Sequence, residues 1–208
     1  MSAVRDALSS IRRLGRSRPF TPDMRPLAMS KDEEAAFLAN PQSDLETVFA
    51  KHQGRTVHKW VHYLPVYERA FAAYRGKKNL VLLEIGVSLG GSLEVWREYF
   101  GDNATIAGID LDERCRQRFD PPNRVFIGSQ ADPDFLRKTV EEIGTPDIVI
   151  DDGSHVASHQ RISFETLFPL LASDGVYIIE DTHTAYWKTT FEGGYRRPEN
   201  IIEYCKAI

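Results

Sequence analysis

Two short apolar runs that end in acids constrain this chain more than any other feature. The first is Asp147-Ile-Val-Ile-Asp151-Asp152-Gly153-Ser154-His155, and the second is Val176-Tyr-Ile-Ile-Glu180-Asp181-Thr-His183. Runs of that length, rich in Val and Ile, read as buried strands of a parallel sheet. The same pattern recurs. Strand candidates are Leu80 to Val87, Thr105 to Ile109, Arg124 to Ile127, Ile148 to Ile150 and Val176 to Ile179. Helix candidates lie between them at Ser92 to Tyr99, Glu113 to Phe119, Asp134 to Ile143 and His159 to Leu171. Such alternation predicts an α/β fold: right-handed crossovers and a doubly wound, mostly parallel sheet with helices on both faces. Ligands of such sheets collect beyond the carboxyl ends of the strands. Asp151, Asp152, His155, Glu180 and Asp181 are thereby expected around one crevice. Carboxylates gathered there repel each other unless a cation, ligand or proton compensates, so a metal is the first hypothesis.

The chain has 208 residues, enough for one domain with an appendage. Residues 1–54 read as a preface, partly helical or flexible, broken by Pro19, Pro22, Pro26 and Pro41, with a helix start at Lys31-Asp-Glu-Glu34. The main domain is expected over residues 55–208. The first residues carry Arg5, Arg12, Arg13, Arg16 and Arg18 without the apolar centre of a secretory signal. A net charge of -4 gives no general pull towards nucleic acid or an anionic membrane. No apolar stretch is long enough to span a bilayer. Cys115 and Cys205 make neither a disulfide scaffold nor a thiolate metal site, and a reducing cytoplasm is the default setting. Between Lys59 and Arg75, Trp60, Tyr63, Tyr67, Ala70, Phe71 and Tyr74 recur at helical spacing, which predicts a helix against the sheet, with Pro65 at a turn or helix start.

The first strand candidate leads into Leu82-Leu-Glu84-Ile-Gly86-Val-Ser88-Leu-Gly90-Gly91-Ser92. Glycines at a strand-to-helix turn let the backbone approach a ligand, and the helix start offers free N–H groups. Glu84 and Ser88 replace the features that receive a pyrophosphate, so the turn suits a ligand with an ammonium group and no phosphate. Gly86-Val-Ser88-Leu-Gly90 also fits a hydrolase nucleophile elbow. Against that reading, the elbow follows the first strand, and the acids and His155 crowd onto one turn. Asp110 ends the second strand about twenty residues on, where a carboxylate binds ribose hydroxyls. The ribose role is the favoured reading of Asp110 over a helix cap, and Asp112 and Asp132 read as caps.

Leu83-Glu84-Ile-Gly86, Gly108-Ile-Asp110, Asp151-Asp152-Gly-Ser-His155 and Ile179-Glu180-Asp181 together resemble class I S-adenosylmethionine-dependent methyltransferases. More narrowly, the chain is similar to the metal-dependent macrolide sugar O-methyltransferases and the cephalosporin hydroxylase and rhamnosyl O-methyltransferase group. The likeness runs from about Gly54 to Tyr195 and includes His58-Lys59-Trp60-Val-His62-Tyr63 and Thr182-His183-Thr-Ala-Tyr186-Trp187. It implies a Rossmann-like fold, S-adenosylmethionine as donor, and transfer to a hydroxyl of a sugar-bearing or polyol natural product. It also implies Asp152, Glu180 and Asp181 as Mg²⁺ (or Mn²⁺) ligands and His155 as general base. Glu84, Gly86, Ser92, Asp110, Gln130 and Asp151 would line the donor pocket, and homo-oligomers are expected. Carboxylate ligands without Cys favour Mg²⁺ or Mn²⁺ over zinc.

Two departures from the family pattern stand out. Ser129 occupies a position where relatives commonly carry Asp. The chain also stops at Ile208, where relatives continue into a closing hairpin, so it is expected to be truncated after the fifth strand, with that sheet edge exposed. A non-catalytic donor-binding protein is therefore a second hypothesis, and a serine hydrolase using Ser88 a third. His155 reads either as the base or as a cap of the next helix. Tyr186, Trp187 and Tyr195 read as an aromatic lid over the acceptor or as ordinary packing. His58, Lys59 and Tyr63 either close the donor pocket or belong to a surface helix.

Overall fold

The structure, a computed structural model, describes residues 31–117, 124–188 and 190–208. The arginine-rich start with Pro19, Pro22 and Pro26 lies outside them, as does the end of the Glu113 to Phe119 helix candidate. The chain divides into two compact units, with the division after Ala39. In the first, α1 (Lys31–Ala39) is the described element.

The second unit opens with α2 (Asp44–Lys51), capped by the Ser43 hydroxyl, which accepts the Glu46 N–H. The helix predicted from Lys59 to Arg75 is broken in three. A 3₁₀ turn at Val61–Tyr63 leads into α3 (Leu64–Phe71), and a second turn follows at Ala72–Tyr74. Pro65 lies in the first turn of α3, where its missing N–H costs nothing. Then come β1 (Val81–Ile85), α4 (Gly91–Phe100), β2 (Thr105–Asp110), a 3₁₀ turn (Glu113–Gln117) and β3 (Arg124–Ile127). They are followed by α5 (Pro133–Ile143), β4 (Ile148–Asp151), α6 (Ala157–Leu167), β5 (Val176–Ile179) and α7 (Ile201–Ala207).

The strands form one parallel sheet in the order β3-β2-β1-β4-β5. The order reverses between β1 and β4, and such a switch point opens a crevice at the carboxyl ends of its two strands. Register sets Ile85 beside Asp151, and Asp151 beside Ile179. Because successive strand residues face opposite ways, Leu83 and Ile85 join a core with Ile109, Leu136, Val149 and Leu167. Glu84 points to the other face, where Trp96 of α4 packs edge-on against Tyr67 and Phe71 of α3. Among the described residues β5 pairs only with β4. An apolar groove of about 520 Å³ beside it is lined by Phe164, Tyr177, Ile179, Ile201 and Cys205. No described helix is long and apolar enough to cross a membrane.

Candidate functional site

The crevice begins where β1 gives way to α4. Gly86 has φ 96, and a Cβ there would lie 2.1 Å from the Asp152 carbonyl oxygen, so only glycine lets the two loops touch. Its N–H donates to the Ile109 carbonyl at 2.8 Å. Asp110, at the end of β2, gathers the turn: one carboxylate oxygen accepts the N–H groups of Val87 and Ser88, and the other accepts that of Asp112. Asp112 and Asp132 cap as expected, receiving the N–H groups of Arg114 and of Asp134 and Phe135.

A buried ion cluster fills the next layer. The Lys59 ammonium, its side chain 2% exposed, lies 2.9 Å from Glu84, 2.6 Å from Asp152 and 2.7 Å from Glu180. The second Glu84 oxygen accepts from Ser92 Oγ at 2.7 Å and from Trp96 Nε1 at 3.2 Å. Glu84 is thus enclosed and paired within the chain. Glu180 also accepts the Tyr67 hydroxyl, and Asp181 accepts that of Tyr63 at 2.8 Å. Burial alone lowers the Lys59 pKa, but the surrounding carboxylates outweigh it and hold the ammonium well above its ordinary value.

Three cleft residues have left-handed backbone: Ser88 (φ 49), His155 (φ 55) and Asp181 (φ 51). Such conformations cost non-glycine residues free energy and concentrate at functional sites. His155 Nε2 lies 3.8 Å from an Asp152 oxygen and 3.9 Å from an Asp181 oxygen. His155 Nδ1 is buried and has no hydrogen-bond partner among the described residues. Asp152, His155 and Asp181 offer ligand atoms within 4.8 Å of one another, and so do Glu84, Asp152 and Glu180. Asp152 belongs to both groups. Of the three expected metal ligands, Asp152 and Asp181 converge on His155, while Glu180 turns to Lys59 and Tyr67. The carboxylate oxygens of Asp152 and Asp181 fit a hard divalent cation, and the His155 imidazole is not needed as a donor to it.

Asp151 sits behind this wall, fully buried, holding Gln130 Nε2 at 3.0 Å and the Ser163 hydroxyl. Gln130 Oε1 in turn accepts the Ser154 N–H at 2.7 Å, which pins the loop that carries Asp152 and His155. Two cavities share Gly86, Ser88, Asp152 and Gly153. One, about 280 Å³, is bordered by His58, Lys59, Ser92, His155 and Asp181. The other, about 230 Å³, is bordered by Asp110, Ser129, Gln130 and His159. Ser88 borders both, but its hydroxyl makes no hydrogen bond to a histidine among the described residues, so the elbow lacks its base.

Burial, the largest cause, pushes the Glu180 carboxyl up to about 7 against the pull of Lys59, and it raises Glu84 and Asp151 as well. Between the ordinary value of 4.5 and this raised value the folded chain keeps a proton that the unfolded chain has lost. The stability so contributed is full at low pH and is lost as pH rises through about 7. The metal-free protein is expected to melt about 4–8 °C higher near pH 5.5 than near pH 7.5, which corresponds to about 2 kcal/mol. Thermal melts in EDTA check this; a melting temperature that climbs with pH across that window contradicts it.

No protein-family model matches the chain. It is 40% identical over 146 residues to the 8-demethyl-8-alpha-L-rhamnosyl tetracenomycin-C 2'-O-methyltransferase of Streptomyces olivaceus, covering 66% of this chain and 38% of the relative. It is also 40% identical over 139 residues to the demethylmacrocin O-methyltransferase of Streptomyces fradiae, covering 62% of this chain and 34% of that protein. The MycE methyltransferase of the mycinamycin biosynthetic pathway, solved with Mg, S-adenosylhomocysteine (SAH) and mycinamycin VI, superposes with a TM-score of 0.71. That match has 28% identity over 88% of this chain and 56% of MycE. This chain is a homologue of the tetracenomycin and macrolide sugar O-methyltransferases. Its sheet is the Rossmann-like sheet expected of class I methyltransferases. The homologue spans 38% of the length of the tetracenomycin relative. Sequence reasoning placed its acids and His155 at one crevice and missed that Lys59 is the common partner of Glu84, Asp152 and Glu180.

Proposed function

We propose that this chain forms the donor- and metal-binding core of a Mg²⁺- or Mn²⁺-dependent O-methyltransferase. It would move a methyl group from S-adenosylmethionine to a hydroxyl of a glycosylated or polyol small molecule in natural-product biosynthesis. The observation that carries this reading is His155 Nε2 lodged between Asp152 and Asp181 on the wall of a cavity floored by the glycine turn. Its support comes from relatives named for methylation of sugar-bearing compounds and from the Mg and SAH bound in MycE. Cys115 and Cys205 are not joined in a disulfide, which suits a reducing cytoplasm.

The residues divide the work. Asp110, Ser129 and Gln130 border the cavity suited to the nucleoside, and Gly86 and Ser92 border the part suited to the amino-acid end. Asp152 and Asp181, with Glu180 behind them, would hold the divalent ion. That ion would supply Lewis acidity that makes an alcohol easier to deprotonate. His155 takes the acceptor proton on Nε2, and the two flanking carboxylates stabilise the imidazolium that results. Trp187, half-exposed and edge-on to His183 and Phe191, stands beyond Asp181, where an aromatic face suits a sugar ring.

Two measurements test this reading. SAH at a hundred times its Kd is expected to raise the melting temperature by about 5–10 °C. EDTA is expected to abolish methyl transfer to a sugar-bearing acceptor, and Mg²⁺ to restore it. Tight SAH binding with no transfer in Mg²⁺ would favour a non-catalytic donor-binding protein instead.

A further inference from the structure

Lys59 reaches the crevice from the non-helical segment just before the Val61–Tyr63 turn, not from a helix face. Its ammonium has three hydrogens, and three carboxylates receive them: Glu84 near the end of β1, Asp152 just past β4, and Glu180 just past β5. These acids come from segments far apart in sequence, and the Lys59 side chain is almost wholly buried. Their oxygens lie within 4.8 Å of one another, a spacing that also fits one divalent ion. The ammonium thus stands in a cation seat. The other Asp152 oxygen, His155 and Asp181 form a second group on the cavity side.

We propose that Lys59 is a resident counter-ion: it lets the acidic cluster fold without metal and sets divalent-metal affinity by competing for Asp152 and Glu180. The proposal rests on the metal-dependent reading above. Two buried carboxylates and a half-buried one would repel each other strongly without a cation among them. With Lys59 in place, an incoming ion meets a partly neutralised site and must share Asp152 and draw Glu180 away from the ammonium. Lys59 is therefore a positioning residue, one that acts on the metal ligands and not on substrate.

The test uses the intact chain, stripped with EDTA and titrated with Mn²⁺, with free Mn²⁺ followed by electron paramagnetic resonance and melting curves recorded alongside. Lys59→Met is expected to melt lower than wild type without metal, to gain more from saturating Mn²⁺, and to bind Mn²⁺ at least about tenfold tighter, because a positive charge at contact distance has gone. Lys59→Gln, which keeps a hydrogen-bond donor, is expected to shift affinity in the same direction. A merely structural lysine would lower the melting temperature in both states and leave affinity unchanged or weaker, and that result overturns the proposal. If neither variant folds even in saturating Mn²⁺, the idea that the divalent ion can take over from the ammonium is overturned too. Wild type that binds SAH but no Mn²⁺, with variants that also bind none, removes the metal-dependent reading itself. Mn²⁺ binding by wild type with no gain in the variants removes only the role of Lys59.

Discussion

Replacing His155 by alanine is expected to lower methyl transfer by about 10²–10⁴-fold and to leave SAH binding intact. The imidazole does not itself line the Asp110–Gln130 cavity, so its loss should spare the nucleoside end. What goes is the imidazole held between Asp152 and Asp181, the proton acceptor proposed above. A companion variant separates chemistry from folding. His155 has φ 55, so His155→Gly removes the side chain and also relieves backbone strain of about 1–2 kcal/mol. It is expected to be as inactive as His155→Ala yet to melt a few degrees higher than the alanine variant. Turnover at the wild-type rate in His155→Ala would take His155 out of the base role.

Gly86→Ala is expected to have the largest structural effect. The new methyl group would lie 2.1 Å from the Asp152 carbonyl oxygen, which is backbone and cannot swing aside. It would also sit at φ 96, where a side chain is strained. Overpacking and strain together amount to about 3 kcal/mol or more, or a fall of about 6–12 °C. SAH binding should fail with it, because the turn borders both cavities. Gly76→Ala is the control: φ 75 but nothing within 4 Å of the added atom, so it bears the strain alone, about 1 kcal/mol. If Gly86→Ala melts with Gly76→Ala and still binds SAH, the close approach of the two loops is not what the turn requires.

Much of this was legible in the chain because it is periodic or local. Arg124 to Ile127 and Val176 to Ile179 are strands within the expected bounds, since a short run rich in β-branched and aromatic residues leaves few alternatives. Asp132 was readable as a cap from its place before Pro133 and the helix. The aromatic stretch after Lys59 was harder. Its spacing is helical, but Pro65 and the tight turns on either side confine the α-helix to Leu64–Phe71. The ion cluster left no periodic trace, because Lys59 meets Glu84, Asp152 and Glu180 across 25, 93 and 121 residues of chain. Sequence reasoning gave Glu84 an ammonium partner from a ligand, whereas the structure supplies one from Lys59. Asp151 looked like part of the crevice because it ends a strand; the pleat turns its side chain inward, onto Gln130 and Ser163.

The contact between Trp96 and Glu84 gives the protein an optical gauge of its own. The indole is shut away from water, and its N–H points at the carboxylate that Lys59 also touches. Its emission therefore senses the local field of the cluster, and a change of cation there should move its wavelength. Trp187, half in solvent and far along the chain, answers instead to quenchers and to whatever settles on the rim. With Trp60 replaced by phenylalanine in both variants, substituting one or the other of these two as well would let a simple fluorimeter tell events at the ionic interior from events around Trp187.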